Sequence, residues 1–374
     1  MVCYTPIMNL TLLVKLQPSS TQAQSLLTTM GRFNAACHAM AETALREHTA
    51  NKIRRQKRVY ADIRASFGLS AQMTVRAIRK AAEAYKRDKA TRPTFRPQGA
   101  IVYDPRILAW KGLDRVSILT LDGRQMIPVV MDGYHRPRMD RIRGQADLIY
   151  REGQFYLAVV VDVPEPPPIQ PNEWLGVDLG IVHIAADSDG QTYSGGPVNG
   201  LRRRHATLRQ RLQTKRTKSA TRLLKKRRRK EQRFAANENH RIAKQLVTTA
   251  QDTRRGMALE DLTGIRDRIT VRRAQRRRQH SWAFSQLRQF IGYNAALAGV
   301  PVVLVDPRNT SRTCPHCGLI DKRNRPNQGS FRCIACGFAG PADTIAAGNI
   351  ARRAAVNQPH AGSVSRQAPA SFAL

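Results

Sequence analysis

No long apolar run occurs in the 374 residues. A membrane-spanning helix needs about 18 such residues in a row, so none is expected. The N-terminus, MVCYTPIMNLTLLVKLQP, lacks the basic start of a secretory leader, and Asn9 and Lys15 break its apolar stretch. A soluble, cytoplasmic protein with no membrane partner is the expectation. Acids are scarce as well. Lys and Arg number 63 against 27 Asp and Glu, a formal net charge of +36. Such an excess repels itself unless a polyanion is present, and nucleic acid, held through its phosphates, is the usual one. Arg outnumbers Lys 49 to 14. That suits bidentate phosphate contacts, but a G+C-rich genome favours the same codons, so the bias alone decides little. Cysteine is limited to six residues. With no leader, disulfides are not expected. Cys3 and Cys37 stand apart and read as ordinary buried thiols.

The other four cysteines form CPHCGLIDKRNRPNQGSFRCIACG, residues 314 to 337. Two C-x-x-C pairs at this spacing fit tetrahedral Zn²⁺ bound by Cys314, Cys317, Cys333 and Cys336. Four like ligands leave no open position, so one structural zinc is expected. His316, inside the first pair, reads as a surface residue. Zinc binding of this kind supplies on the order of 10 kcal/mol to folding, which a loop this short needs.

Elsewhere the hydrophobic period marks the organisation. Residues 9–18 alternate as a strand. Residues 19–48 read as a helix that Ser19, Ser20 or Thr21 could cap, with Leu26, Met30, Phe33, Cys37 and Met40 on its apolar side. A second helical stretch covers about 55–90. Residues 91–164 turn β-rich, with hairpin signals at Asp122-Gly123 and Glu152-Gly153. They suggest an antiparallel barrel or sandwich that the first strand joins across the helical insertion. EPPPIQP, 165–171, marks a domain boundary. Beyond it the pattern is mixed α/β. WLGVDLGIVHIAADSDGQTYS reads as two strands, and residues 201–250 as a long basic helical region. GMALEDL reads as a buried strand and Trp282–Ala298 as a core helix. VPVVLVDP reads as another buried strand, followed by the cysteine clip and a last helix over 343–356. The tail has the composition of disorder.

Against so basic a background, acids inside apolar stretches stand out. Asp178 lies within LGVDLGIV, Glu260 and Asp261 follow GMAL, and Asp343 opens the last helix. A buried charge is costly unless paired or bound to a cation. A carboxylate cluster would take Mg²⁺ or Mn²⁺, and two such ions can clamp a phosphodiester. The residues alone leave a second reading open, in which Asp178 opens a turn beside Gly180 and Glu260 caps a helix.

Several short motifs recur in a telling order. They are Gly176-Val177-Asp178-Leu179-Gly180, Ser188-Asp189-Gly190, Leu259-Glu260-Asp261-Leu262, Thr310-Ser311-Arg312-Thr313-Cys314, the clip, and Asp343-Thr344-Ile345-Ala346-Ala347-Gly348-Asn349-Ile350. Together they resemble TnpB, the protein of IS200/IS605 and IS607-type transposons that is ancestral to type V CRISPR effectors. The resemblance covers 171–356 by motif and the N-terminal half only in outline. One departure is visible: the family often has Asn where Ile345 stands.

The resemblance implies a multidomain α+β fold. A β-barrel wedge domain (1–18 and 91–170) would carry a helical recognition domain (19–90). A RuvC-like α/β nuclease domain of RNase H fold (171–313 and 338–356) would follow, with a zinc ribbon, the target-nucleic-acid-binding insert, at 314–337. Residues 357–374 would be a disordered tail. It implies RNA-guided endonuclease activity on double-stranded DNA beside a short transposon-adjacent motif. The guide RNA would come from the element's right end. Asp178, Glu260 and Asp343 would be catalytic and hold two Mg²⁺ or Mn²⁺ ions, with Asp261 outside the set. Two alternatives stand beside it: a guide-bound repressor that does not cut, and a zinc-ribbon DNA-binding transposase accessory protein that uses no RNA. A monomer in a prokaryotic cytoplasm, on the nucleoid when engaged, is the expected state.

Residues 201–234 hold sixteen Lys or Arg and one acid, Glu231. Such density repels itself in an isolated helix unless phosphates lie alongside. Arg202, Arg203, Arg204, Lys225, Lys226, Arg227, Arg228 and Arg229 are the candidate contacts there. Arg272 and Arg273 are the candidates in a second run after the Glu260 strand.

Overall fold

The computed structural model describes residues 7–46, 52–88, 91–227, 229–263 and 284–356. The chain divides into two compact units, Met1–Pro164 and Glu165–Leu374. The division falls at the start of the proline-rich segment. None of the helices among the described residues is long and apolar enough to cross a membrane. The expected disordered tail, Cys3, and the Arg228, Arg272 and Arg273 contacts lie outside the described residues.

The first unit is a curled antiparallel sheet with a helical insertion. β1 (Ile7–Leu16) buries Leu10, Leu12, Val14 and Leu16 in strict alternation. α1 (Ser20–Arg46) starts at a capping box. The Gln22 N–H donates to Ser19 Oγ at 3.2 Å, and the Ser19 N–H donates to Gln22 Oε1 at 3.1 Å. Leu26, Met30, Phe33, Cys37 and Met40 are all buried, as their spacing predicts. Burial pushes the Cys37 thiol up to about 12, so it is an inert core residue. The second helical stretch is in fact two helices, α2 (Lys52–Phe67) and α3 (Ala71–Arg87). Gly68 breaks it at φ +63°, and the Ser70 side chain caps α3 by accepting from the Met73 N–H.

Six more strands follow: β2 (Ile101–Tyr103), β3 (Leu108–Lys111), β4 (Arg115–Thr120), β5 (Gly123–Val130), β6 (Ile142–Arg151) and β7 (Gln154–Pro164). Both hairpin signals form, with Gly123 at φ +93°, Glu152 at +52° and Gly153 at +81°. The strand order is β2-β6-β7-β1-β5-β4-β3. β1 pairs with β7 from Ile7↔Pro164 to Leu16↔Phe155, so the first strand does join across the insertion. Among the described residues the ladder is open, with β2 and β3 at its two ends. The sheet still curls: the Tyr103 hydroxyl on β2 donates to the Leu119 carbonyl on β4 at 3.0 Å.

The second unit is built on a five-stranded sheet of order β10-β9-β8-β11-β12. β8 (Trp174–Asp178), β9 (His183–Asp187) and β10 (Thr192–Ser194) run antiparallel, one strand more than the periodicity predicts. β11 (Gly256–Glu260) and β12 (Val302–Val305) add in parallel to β8. β11 is buried at every position. β12, expected to be buried, is the sheet edge instead, and Leu304 is 41 % exposed. The basic region divides into α4 (Gly196–Lys215), α5 (Lys218–Arg227) and α6 (Lys230–Asp252), with a left-handed Arg216 ending α4.

Strand parity sorts the two faces. Leu175, Val177, Met257 and Leu259 pack with Ile242 and Leu246 of α6 and with Leu287 and Ile291 of α7 (Phe284–Ala298). Trp174 and Ala258 face the other way, against Ile350 and Ala354 of α8 (Ala342–Val356). Gly176 belongs to that second face. A Cβ there would collide with the backbone oxygen of Ala347, so α8 rests directly on the β8 main chain. A short hairpin, β13 (Ser330–Arg332) with β14 (Ala339–Pro341), leads straight into α8. β14 lies just beyond residue 337, between the second cysteine pair and α8.

Candidate active site

Asp178 and Glu260 are the last residues of β8 and β11. The two strands are parallel neighbours with Val177 opposite Leu259. Their final residues therefore adjoin, on strands that lie roughly 4.8 Å apart. Both continue the even-numbered face of Gly176 and Ala258, which is the α8 side. The first turn of α8 contributes Asp343. Three acids distant in sequence thus meet at the carboxyl end of the parallel strands, where α/β sheets characteristically bind ligands.

The proximity has an electrostatic cost. The Asp178 carboxyl is raised to about 7 by burial first, then by the charges of Glu260 and Asp343, with Arg325 opposing. Glu260 is 9 % exposed. Burial raises its carboxyl too, against a hydrogen bond from Thr310 and the charges of Arg353 and Arg325. Asp261 faces elsewhere: it pairs with Arg288 at 3.1 Å, accepts from Thr263, and is held below the usual carboxylate range.

Glu260 and Asp343 also have side-chain partners. The Thr310 hydroxyl donates to Glu260 Oε1. His183 Nδ1 lies 2.8 Å from Asp343 Oδ2, and the Arg325 guanidinium donates to Asp343 Oδ1 at 3.4 Å. Motif reading missed His183, Thr310 and Arg325 as members of the site. Thr310 stands in a motif that was noticed, but its neighbour at Glu260 is fifty residues away. Arg325 is one arginine among many, and no local pattern marks it.

The donor set fits a hard divalent cation. Three carboxylates supply only oxygen, and their mutual repulsion is relieved by positive charge. They are not drawn into a tight cage. Among the described residues, only the four cysteines bring three or more potential ligand atoms all within 4.8 Å of one another.

Those cysteines form the second centre. The Sγ atoms of Cys314 and Cys336 lie 3.6 Å apart, and those of Cys317 and Cys333 lie 3.5 Å apart. Four sulfurs at about 2.3 Å from a tetrahedral Zn²⁺ would be about 3.8 Å apart. The two knuckles repeat one hydrogen-bond plan. Gly318 N donates to Cys314 O and Cys314 N to Leu319 O; Gly337 N donates to Cys333 O and Cys333 N to Phe338 O. Both glycines sit at φ +75°. Backbone N–H groups of Cys336 and Ala335 aim at Cys333 and lower its thiol to about 6, while hydrogen bonds among the neighbouring thiols help to raise Cys317 and Cys336, so without a metal the four sulfurs share their protons unequally. The buried Asn324 joins the halves, donating to the Arg312 and Leu319 carbonyls and accepting from Ile334 N. His316 is exposed and lies parallel to Phe338, outside the thiol group. Ile345, the departure from the TnpB pattern, packs with Cys314, Phe331 and Cys333, and so bolts α8 to the ribbon.

The basic helices separate the expected nucleic-acid contacts. Arg203, Arg204, Lys225, Lys226, Arg227 and Arg229 are exposed. Arg202 is not part of that surface. Its side chain is 17 % exposed and faces Glu231 of α6 at 3.5 Å, so its charge serves helix packing.

Known proteins match in the same regions. The family described as "Probable transposase" matches residues 158–263, and the one described as "Cas12f1-like, TNB domain" matches 284–350. The CRISPR-associated endodeoxyribonuclease Cas12f1 of Sulfoacidibacillus thermotolerans is 33 % identical over 253 residues, covering 60 % of this chain and 58 % of its own. A TnpB-like protein of Methanocaldococcus jannaschii is 33 % identical over 125 residues, covering 33 % of this chain and 44 % of its own. The chain therefore spans less than two thirds of the curated relatives it matches. A cryo-EM structure of a Cas12f1–sgRNA–target DNA complex superposes with a TM-score of 0.59 at 13 % identity, covering 93 % of this chain and 99 % of that one. At that identity the likeness concerns the fold.

Proposed function

The chain is a TnpB-type protein, and from that premise we propose that it is an RNA-guided, metal-dependent DNA endonuclease with a RuvC-like core. The observation that carries this reading is the meeting of Asp178, Glu260 and Asp343 at one end of the second sheet. The sheet order, three antiparallel strands extended by two parallel ones, supports the RNase H-type assignment. Asp178, Glu260 and Asp343 would hold two Mg²⁺ or Mn²⁺ ions. Bound there, the ions would activate water and steady the leaving oxygen of a phosphodiester.

The protein's own residues do the positioning. β8 and β11 hold two carboxylates side by side, and α8, pressed on Gly176, brings the third. Arg325 keeps a positive charge beside all three. Arg203, Arg204, Lys225, Lys226, Arg227 and Arg229 would lie along phosphates. Base pairing with a guide RNA from the element's right end would read the target sequence, while the protein holds the duplex by shape and charge. One zinc ion on the four cysteines would fix the ribbon that carries Arg325. The working species would be one copy of the chain with its RNA and a double-stranded target beside a short adjacent motif.

The test is to express the chain with its native downstream DNA, sequence the co-purified RNA, and assay a matched plasmid with Mg²⁺. A discrete RNA and cleavage that Asp178→Ala abolishes are the expected results. Binding of the target without any product would identify a repressor. Absence of a defined RNA would favour a transposase accessory protein instead. Undiminished cleavage by Asp178→Ala would remove the carboxylate site from the reading.

A further inference from the structure

Thr310 is 2 % exposed and Glu260 9 %. The Thr310 hydroxyl lies within hydrogen-bond distance of two acceptors, Glu260 Oε1 and, at 3.1 Å, the Pro307 carbonyl. It has one proton to give. The carboxylate is the nearer acceptor and the charged one, so it takes the stronger bond. Thr310 is itself held in place. Asn349 of α8, 5 % exposed, donates from Nδ2 to the carbonyls of Thr310 and Thr313, both at 2.8 Å. Cys314, the first thiol of the clip, is the next residue. A continuous buried path thus runs from α8 through Asn349 to Thr310 and on to Glu260.

We propose that Thr310, anchored by Asn349, is the positioning residue that commits one oxygen of Glu260 and so sets the direction in which the second carboxylate meets a divalent cation. The proposal rests on the carboxylate reading given above. Buried carboxylates rotate about their last torsion unless an oxygen is fixed. Partners that orient a ligating carboxylate typically change metal affinity 10- to 100-fold when removed. Valine has nearly the shape of threonine and lacks the hydroxyl; serine keeps the hydroxyl and loses only a methyl.

The experiment titrates Mn²⁺ into the full-length, zinc-loaded chain and follows bound ion by electron paramagnetic resonance, with Asp178→Ala as background. Thr310→Val is expected to weaken site-bound Mn²⁺ about tenfold or more, and Thr310→Ser to restore near-native affinity. Plasmid cleavage should follow the same order, and thermal melting should confirm that both variants fold. A merely structural threonine would shift melting without separating serine from valine. Native Mn²⁺ affinity in Thr310→Val, or equal weakness in Thr310→Ser, would overturn the proposal. Should the valine variant fail to fold, Thr310→Cys, close in volume with a poorer donor, takes its place with the same expected loss. If Asp178→Ala itself binds Mn²⁺ like the native chain, the carboxylate reading fails. If Asp178→Ala loses the ion while Thr310→Val keeps it, only the role of Thr310 fails.

Discussion

Asp178 carries the sharpest local conflict in the second unit. Its carboxyl has an ordinary value of 3.8 and is raised to about 7 where it stands. Between those two values the folded chain holds a proton that the unfolded chain has released, so stability falls as pH rises through the window. Above about pH 7 the full cost is present, at most about 4 kcal/mol for a shift of this size. Asp178→Asn should therefore raise the melting temperature in magnesium-free buffer above pH 7, with the gain shrinking to nothing near pH 4. Adding Mg²⁺ should stabilise the native chain and leave the variant unmoved. A pH-independent difference between the two would contradict this account. The acids were legible because charge inside LGVDLGIV or after GMAL is costly and hence conspicuous. Thr310, His183 and Arg325 were not, because each matters only through a neighbour remote in sequence. A hydroxyl or a guanidinium among many leaves no local trace.

Elements show a similar division. Alternation foretold β1 and its place in the first sheet, and helical spacing foretold the buried side of α1. Cysteine spacing foretold the thiol group. Edge and centre were not distinguishable, since VPVVLVDP is as apolar as a buried strand, yet β12 lies at the rim with Leu304 exposed. The single basic region hid three helices, because a run of Arg and Lys has no apolar period to mark its breaks. At this scale the ribbon reaches the carboxylates three ways: Ile345 packs on its core, Arg325 touches Asp343, and Thr310 precedes Cys314. Cys333→Ser should therefore reduce cleavage at least tenfold at a guide-RNA affinity close to native, measured by plasmid digestion and filter binding. Parallel loss of both would mean that the clip sustains the whole unit.

For the whole molecule, a charge of +36 makes affinity for nucleic acid a function of salt. Replacing Lys225, Lys226, Arg227 and Arg229 together with Gln should reduce the slope of log affinity against log salt by about 3, if each meets one phosphate. Arg202→Gln should leave that slope alone and lower the melting temperature instead, because its partner is Glu231. The arrangement of β1 has a further consequence, for the order in which the protein is made. β1 leaves the ribosome before either of its neighbours, β5 and β7, and its longest ladder ends at Pro164. β1 therefore waits for partners remote in the chain, β5 only at Val129 and Val130 and β7 only from Phe155 on, and pairing over such a separation is slow. The candidate centre waits longer still, since its acids emerge at 178, 260 and 343. No nascent fragment that stops short of α8 can hold all three, so the candidate centre is complete only once the last helix has been made.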